Sequence, residues 1–354
     1  VRLHLEPCET PVQRLSLVLP IAENEARYMH ACGDGLRHNY AGFVPEGEGQ
    51  VWDSSQGNKL EITNTFYPYI WVGGGERGVC YFADSDYDWE LDAETPVIDL
   101  TRNNGTLTLR IHIMTAGVPL ERPHDITLGF QVTPTKPMPE GWRRWLGRSL
   151  VPGGRAVSWL GSNFYWGAMA YDVYPWKKQF EYFEQMAKAR ETGEQPDEFM
   201  SEWLEKIAEV YPPGEGKGRG SYEFFKRHVH AGFRSAANAQ RGKDIRLFGY
   251  TNARGVGFHV PEFATFQDEW LRYPWFGRDW KKNGAVGYDL SPSASFRDYA
   301  VWYYKKMTDT WADGVYWDNT FLSAHYDPVV GGKVDPEGEL HPSLGLFHLR
   351  KLIR

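Results

Sequence analysis

The sequence predicts two domains: an antiparallel β-sandwich over residues 1–139, then an incomplete (β/α)8 barrel of the TIM type over residues 140–354. Three observations carry this reading. The first part alternates apolar and polar residues between turn signals, with no helical period between them. The segment PTKPMPEGW (134–142) then stops the sheet, because its prolines remove ladder donors and stiffen the chain. Beyond it, amphipathic stretches of helical period alternate with short apolar runs, as in a parallel sheet.

In the first part the strand-like runs are LEITNTFYPYIWVG, GVCYFADSDYDW, PVIDLTRNNGTLTLRIHIMT and HDITLGFQVTPTKPMP. Asn103–Gly105 reads as a hairpin turn, since Asn and Gly tolerate the positive φ that tight turns need. Thr106, Thr108, Arg110 and His112 then share one face, with Leu107, Leu109, Ile111 and Ile113 on the other. WVGGGERG (71–78) lies between strands and reads as a turn, not a phosphate cradle.

In the second part, 175–190 places Trp176, Phe180, Phe183 and Ala187 on one helical stripe. Residues 196–211 do the same with Met200, Trp203, Leu204 and Ile207, and 221–240 predicts a third helix. Ser291-Pro292 opens a further helix, with Ser291 as N-cap and a stripe of Phe296, Ala300, Tyr303, Met307 and Trp311. The apolar runs are AVSWLGSNFYWG (156–167), DIRLFGYTN (244–252), GAVGYDL (284–290) and DGVYWDN (313–319). A doubly wound sheet is the alternative architecture. The ~200 residues after 150 fall short of the ~250 of a full barrel, so truncation at the fourth or fifth unit is expected. Val1 starts within a polar segment and Arg354 stops within an amphipathic pattern of Leu346, Leu349 and Ile353; a piece of a longer protein is expected.

Composition narrows the function. A net charge of −7 without any Lys/Arg-rich run argues against nucleic acid as a partner. No stretch approaches ~20 consecutive apolar residues, so no membrane span is expected. Cys8, Cys32 and Cys80 lack CxxC spacing and suggest neither a disulfide framework nor a zinc site; the compartment stays open, with an extracytoplasmic location favoured. Asn104 begins an Asn-Gly-Thr sequon. No GxSxG elbow, HExxH, P-loop or post-strand GxGxxG occurs. His228 and His230 sit two apart in a helix, which points the rings away from each other. No metal or organic cofactor is implied. Fifteen Trp, 20 Tyr and 19 Phe supply flat apolar faces of the kind that sugar rings stack on, although such residues also build cores and interfaces.

The chemistry-bearing candidates cluster at predicted strand ends. In a barrel, active sites lie at the carboxyl ends of strands. Alternation places Gly314, Tyr316 and Asp318 on one face of DGVYWDN, and Val315 and Trp317 on the helix side. Asp318 is therefore the main catalytic candidate, with capping or a turn as its structural alternative. Asp313 precedes the strand and falls on the stability side. Asp289 binds a sugar hydroxyl or caps the next helix. Thr251, Asn252 and Arg254 follow another strand, and Arg254 suits a carboxylate, a sulfate or a pair of hydroxyls. Asn163, Tyr165 and Trp166 follow the first strand as an aromatic wall. His259 and Glu262 fall in a loop over the mouth, as do His325, Tyr326 and Asp327 after Asp318.

WVGGGERGVCYFADSDYDW (71–89), followed by HDITLGFQVTPTKPMP (124–139), resembles the β-sandwich that precedes the catalytic barrel in relatives of glycoside hydrolase family 123. DGVYWDN resembles glycosidase strands that end in a catalytic Asp. The resemblance covers most of the chain and implies a glycoside hydrolase acting on an oligo- or polysaccharide. Carried over by residue, only Asp318 matches an acidic catalytic position. Family 123 implies an adjacent Asp–Glu pair in a substrate-assisted mechanism, whereas the second position here is Asn319, which instead suits a sugar hydroxyl. Glycosidases use two carboxyl groups, so the partner of Asp318 is expected at Asp289, at Glu262 or beyond Arg354. The alternatives are a non-catalytic carbohydrate-binding or cell-surface protein, or a polysaccharide lyase using Tyr326, His325 and Arg254.

Overall fold

The computed structural model describes residues 1–33, 39–56, 65–137, 140–141, 146–147, 156–161, 178–214, 221–240, 245–256, 261–272, 290–318, 320, 322 and 324–353. The chain divides into two compact units. The first comprises Val1–Met138 and Phe321–Arg350, the second Pro139–Thr320 and Lys351–Arg354. Residues 321–350, assigned by the sequence reading to the second domain, thus cluster with the first.

Among the described residues, the N-terminal part of the first unit holds twelve strands: β1 (Arg2–Leu5), β2 (Cys8–Val12), β3 (Leu15–Ala22), β4 (Tyr28–Cys32), β5 (Tyr40–Phe43), β6 (Gly49–Asp53), β7 (Tyr69–Gly73), β8 (Gly78–Ala83), β9 (Ile98–Asn103), β10 (Thr106–Met114), β11 (Val118–Leu120) and β12 (His124–Thr133). They form an antiparallel six-stranded sheet, β1-β12-β8-β7-β4-β5, a four-stranded sheet, β3-β10-β9-β6, and the small pair β11-β2. The Asn103–Thr106 hairpin turns through Asn104 (φ 49°) and Gly105 (φ 76°), the conformation that Asn-Gly favours. Alternation follows as far as Ile111, and from Ile111 to Met114 every residue is buried. Leu107, Leu109, Ile111 and Ile113 are fully buried. They share one core with Met29, Ile70, Val72, Tyr81, Ile126 and Leu128 of the six-stranded sheet.

On the other face of β10, polar residues cross-link the strands. His112 Nε2 lies 2.7 Å from Asp99 Oδ2, Ser16 Oγ lies 2.7 Å from His112 Nδ1, and Arg110 donates to Asp99 Oδ1 at 3.0 Å. Burial opposes the Asp99 charge, but hydrogen bonds from His112, Thr101 and Arg110 outweigh it and hold its pKa below the usual carboxylate range.

The returning segment adds Leu322, Ala324 and Leu344 to the core. It also carries the hairpin β17 (Lys333–Val334) and β18 (Leu340–His341). Its anchor is the run Asp84-Ser85-Asp86-Tyr87-Asp88. Asp84 accepts from Ser343 Oγ and from the Leu346 amide, and Asp86 meets His341; Asp88 pairs instead with Arg122 of the N-terminal part.

The second unit corrects the expected barrel. Its described strands β13 (Leu146–Gly147), β14 (Ala156–Gly161), β15 (Ile245–Asn252) and β16 (Gly314–Asp318) form a four-stranded parallel sheet in sequential order. β15 pairs directly with β16, so GAVGYDL does not intervene as a barrel strand. That run lies outside the described residues except for Leu290, which bridges Leu271 in antiparallel fashion. Among the described residues three helices, α1 (Lys178–Thr192), α2 (Asp197–Val210) and α3 (Tyr222–Asn238), lie between β14 and β15, where a barrel step uses one. No eightfold barrel is present among the described residues.

α4 (Pro261–Trp270) and α5 (Ala294–Thr310) follow β15, and the chain's sixth described α-helix is α6 (Leu346–Ile353). Met200, Trp203, Leu204 and Ile207 of α2 are buried, and so are Phe296, Ala300, Tyr303 and Met307 of α5. In α1 the buried stripe is Tyr182, Phe183, Met186 and Ala189 instead of one running through Ala187. α5 is capped by Ser293, whose Oγ accepts from the Phe296 amide at 3.3 Å; Ser291 instead donates its amide to Trp270 O. Among the described residues no helix is long and apolar enough to cross a membrane.

Candidate functional site at the carboxyl edge of the parallel sheet

The sheet has two chemically different ends. At its amino edge, Asp313 Oδ2 accepts from Arg190 Nη2 at 2.6 Å and from the Leu247 amide at 2.8 Å, while Arg246 Nη1 reaches Oδ1 at 3.4 Å. Arg190 Nη1 also donates to Trp311 O at 2.7 Å. This clamp ties α1 to β15 and to the start of β16. Asp313 is a structural residue, as its place before the strand predicted.

At the carboxyl edge the register is Tyr250↔Tyr316, Thr251↔Trp317 and Asn252↔Asp318. The two faces are assigned by contacts further down the strands. A Cβ on Gly249 would lie 2.3 Å from Met307 Sδ and 3.5 Å from Trp311, so Gly249 faces α5. Trp317 packs its ring 5.8 Å from that of Tyr304, also on α5. A Cβ on Gly314 would instead meet the Phe248 ring at 2.8 Å. Positions 248, 250 and 252 therefore share a face with 314, 316 and 318, opposite α5. The site positions Asn252 and Asp318 are direct neighbours on that face; their side chains lie outside the described residues, and Tyr316 behind them is half-buried.

Arg254, two residues beyond β15, is fully buried between Ala253 and Val256, which are buried as well. Glu262 sits in the first turn of α4, half-buried, and among the described residues its buried Oε2 has no hydrogen-bond partner. A desolvated carboxylate oxygen of this kind is costly unless a proton or a ligand satisfies it. Asn163, Tyr165, Trp166, His259, Asp289 and Asn319 lie outside the described residues.

The residues after Asp318 have roles in the first unit. His325 is fully buried and exchanges both backbone hydrogen bonds with Ser343 at 2.8 Å. Tyr326 packs against the core, and Asp327 accepts from the Val329 amide at 2.8 Å as the cap of a short 3-10 turn. The lyase grouping thus draws His325 and Tyr326 from the first unit and Arg254 from the second. Of the helical pair, His230 is half-buried, and the His228 side chain is outside the described residues.

The sequence reading passed over the acidic run at 84–88 and its partners Arg122, Ser343 and His341. The run of alternating aspartates was visible, but the residues that answer it lie far along the chain. No protein-family model matches the chain, and no curated protein matches it.

Proposed function

We propose that the second unit hydrolyses glycosidic bonds of an oligo- or polysaccharide at the carboxyl edge of its parallel sheet. The pairing of positions 252 and 318 carries this reading: it makes Asn252 and Asp318 register neighbours at the ends of adjacent parallel strands, at positions on the face opposite α5. In open parallel α/β sheets, ligands bind outside the carboxyl ends of the strands. Asp318 serves as nucleophile or general base, and Asn252 and Asn319 hold sugar hydroxyls. Glu262, whose buried Oε2 has no hydrogen-bond partner among the described residues, is a candidate for the second carboxyl group that glycosidases use. Asp289 is the other candidate. Tyr316, Tyr165 and Trp166 contribute flat faces, and Arg254 suits an acidic or hydroxyl-rich substrate. The resemblance of 71–89 and 124–139 to relatives of family 123 supports the same substrate class.

The test is release of reducing ends from a panel of plant, bacterial and animal glycans by the full chain and by Asp318→Asn. Turnover by the wild type and its loss in a folded Asp318→Asn variant are expected. Retained turnover in the variant overturns the assignment of Asp318. Glycan binding without turnover by the wild type replaces hydrolysis with a carbohydrate-binding role.

A further inference from the structure

We propose that Asp335, Glu339 and His341, in the first unit, form a binding site for a divalent transition-metal cation of the zinc class. The inference is independent of the glycosidase reading. The three side chains come from one short hairpin, β17–β18, in which Lys333 pairs with His341 and Val334 with Leu340. Its turn is held by the Asp335 amide on Glu339 O at 3.0 Å, the Gly338 amide on Asp335 O at 3.1 Å and the Glu339 amide on Asp335 Oδ1 at 2.7 Å. Gly338 adopts φ 87°, which closes the turn. One nitrogen or oxygen atom from each of the three side chains lies within 4.8 Å of the others.

Two further features separate this cluster from an ordinary acidic turn. The first lies outside the hairpin. Asp86, buried on the 84–88 loop, meets His341 Nδ1 at 3.1 Å and so orients the ring with Nε2 toward Asp335. A carboxylate behind the non-ligating nitrogen is the usual support of a metal-binding histidine. The edge-on Tyr87 ring, 5.6 Å away, fixes the same imidazole from its side. The second is distance. His341 Nε2 and Asp335 Oδ2 are 3.2 Å apart. Two ligand atoms each ~2.1 Å from one tetrahedral zinc are ~3.4 Å apart, so an ion fits between them with little movement. Glu339 is exposed and completes a third ligand, leaving a coordination position to water.

A nitrogen and two carboxylates suit zinc, cobalt or manganese better than calcium, which prefers oxygen alone. Lys333 Nζ stands 4.1 Å over the Tyr87 ring, and Arg122, over the same ring, is paired with Asp88. The bound ion would clamp the hairpin to the 84–88 loop through His341.

The test uses the full chain after chelator treatment. Zinc uptake is measured by equilibrium dialysis and Co2+ by its visible absorption. Binding of one equivalent of zinc is expected, together with a cobalt spectrum of low coordination number and a rise in Tm. His341→Gln should abolish binding, Glu339→Gln should weaken it at least ~10-fold, and Asp86→Asn should weaken it ~10–100-fold by releasing the ring. Because Glu339 is exposed, its variant tests the site even if His341→Gln fails to fold. Absence of zinc and cobalt uptake by the wild type, or unchanged affinity in Glu339→Gln, overturns the proposal and leaves a His–carboxylate ion pair only.

Discussion

Asp313 and Asp318 bracket β16: Asp313 precedes the strand and binds Arg190 at 2.6 Å, whereas Asp318 is its last residue and the neighbour of Asn252 in the sheet. The same residue type thus holds the sheet together at one end and, in the function proposed above, is the catalytic carboxylate at the other.

Asp313→Ala removes the acceptor of two arginines and of the Leu247 amide. Charge-assisted hydrogen bonds of this kind are each worth about 1.5–3 kcal/mol. The variant should lose about 3 kcal/mol of stability in urea unfolding, with little change in the slope. An unchanged midpoint would show that the clamp contributes nothing.

Face parity at β15 predicts opposite outcomes for adjacent residues. Asn252 is on the face of Asp318 and Thr251 on the face of α5. Asn252→Ala should lower kcat/KM about tenfold or more on any glycan the protein cleaves, while Thr251→Ala should leave it within about twofold. Equal effects of the two substitutions would remove the assignment of the faces.

Gly129 pairs with Phe82 across β12 and β8, and a Cβ at 129 would lie 2.2 Å from the ring. Aromatic cover of a cross-strand glycine leaves no space for a methyl group. Gly129→Ala should cost about 1–3 kcal/mol in thermal or chemical unfolding. Its cost should fall in a Phe82→Leu background, where the obstructing ring is gone.

Burial pushes the Cys80 thiol up to about 11, against a smaller opposing hydrogen bond from Tyr69. The neutral thiol is therefore favoured by folding. This contribution is fully present below the ordinary thiol pKa of about 9 and is lost as pH rises through about 11. Iodoacetamide at pH 8, followed by peptide mass spectrometry, should modify half-buried Cys8 well before Cys80 in the native protein. Modification of both at equal rates would contradict the burial argument.

Much of the local structure was legible in the sequence. The alternation of Leu107, Leu109, Ile111 and Ile113, the Asn104-Gly105 turn and the buried stripes of α2 and α5 follow from side-chain period and turn chemistry, which act between near neighbours. The faces of DGVYWDN were readable for the same reason, and so was the structural place of Asp313. The α5 cap was misread by two residues, because Ser291, Ser293 and Ser295 all offer cap chemistry and only packing against Trp270 chooses among them.

The sequence by itself determined most of the N-terminal strands, the presence of α1, α2, α3 and α5, and the apolar faces of β10, α2 and α5. It did not show α4, which was read as a loop, or the buried stripe of α1. Only the tertiary structure decided that β15 pairs directly with β16, so that a parallel sheet stands where a barrel was expected. Parallel pairing joins residues far apart in the chain and leaves no turn signal between them, so the same apolar runs fit either architecture. Tertiary structure also sent residues 321–350 back to the first unit. Leu322, Ala324 and Leu344 enter its core without any period of their own, and Asp84, Asp86 and His341 find partners across some 250 residues that local chemistry cannot connect.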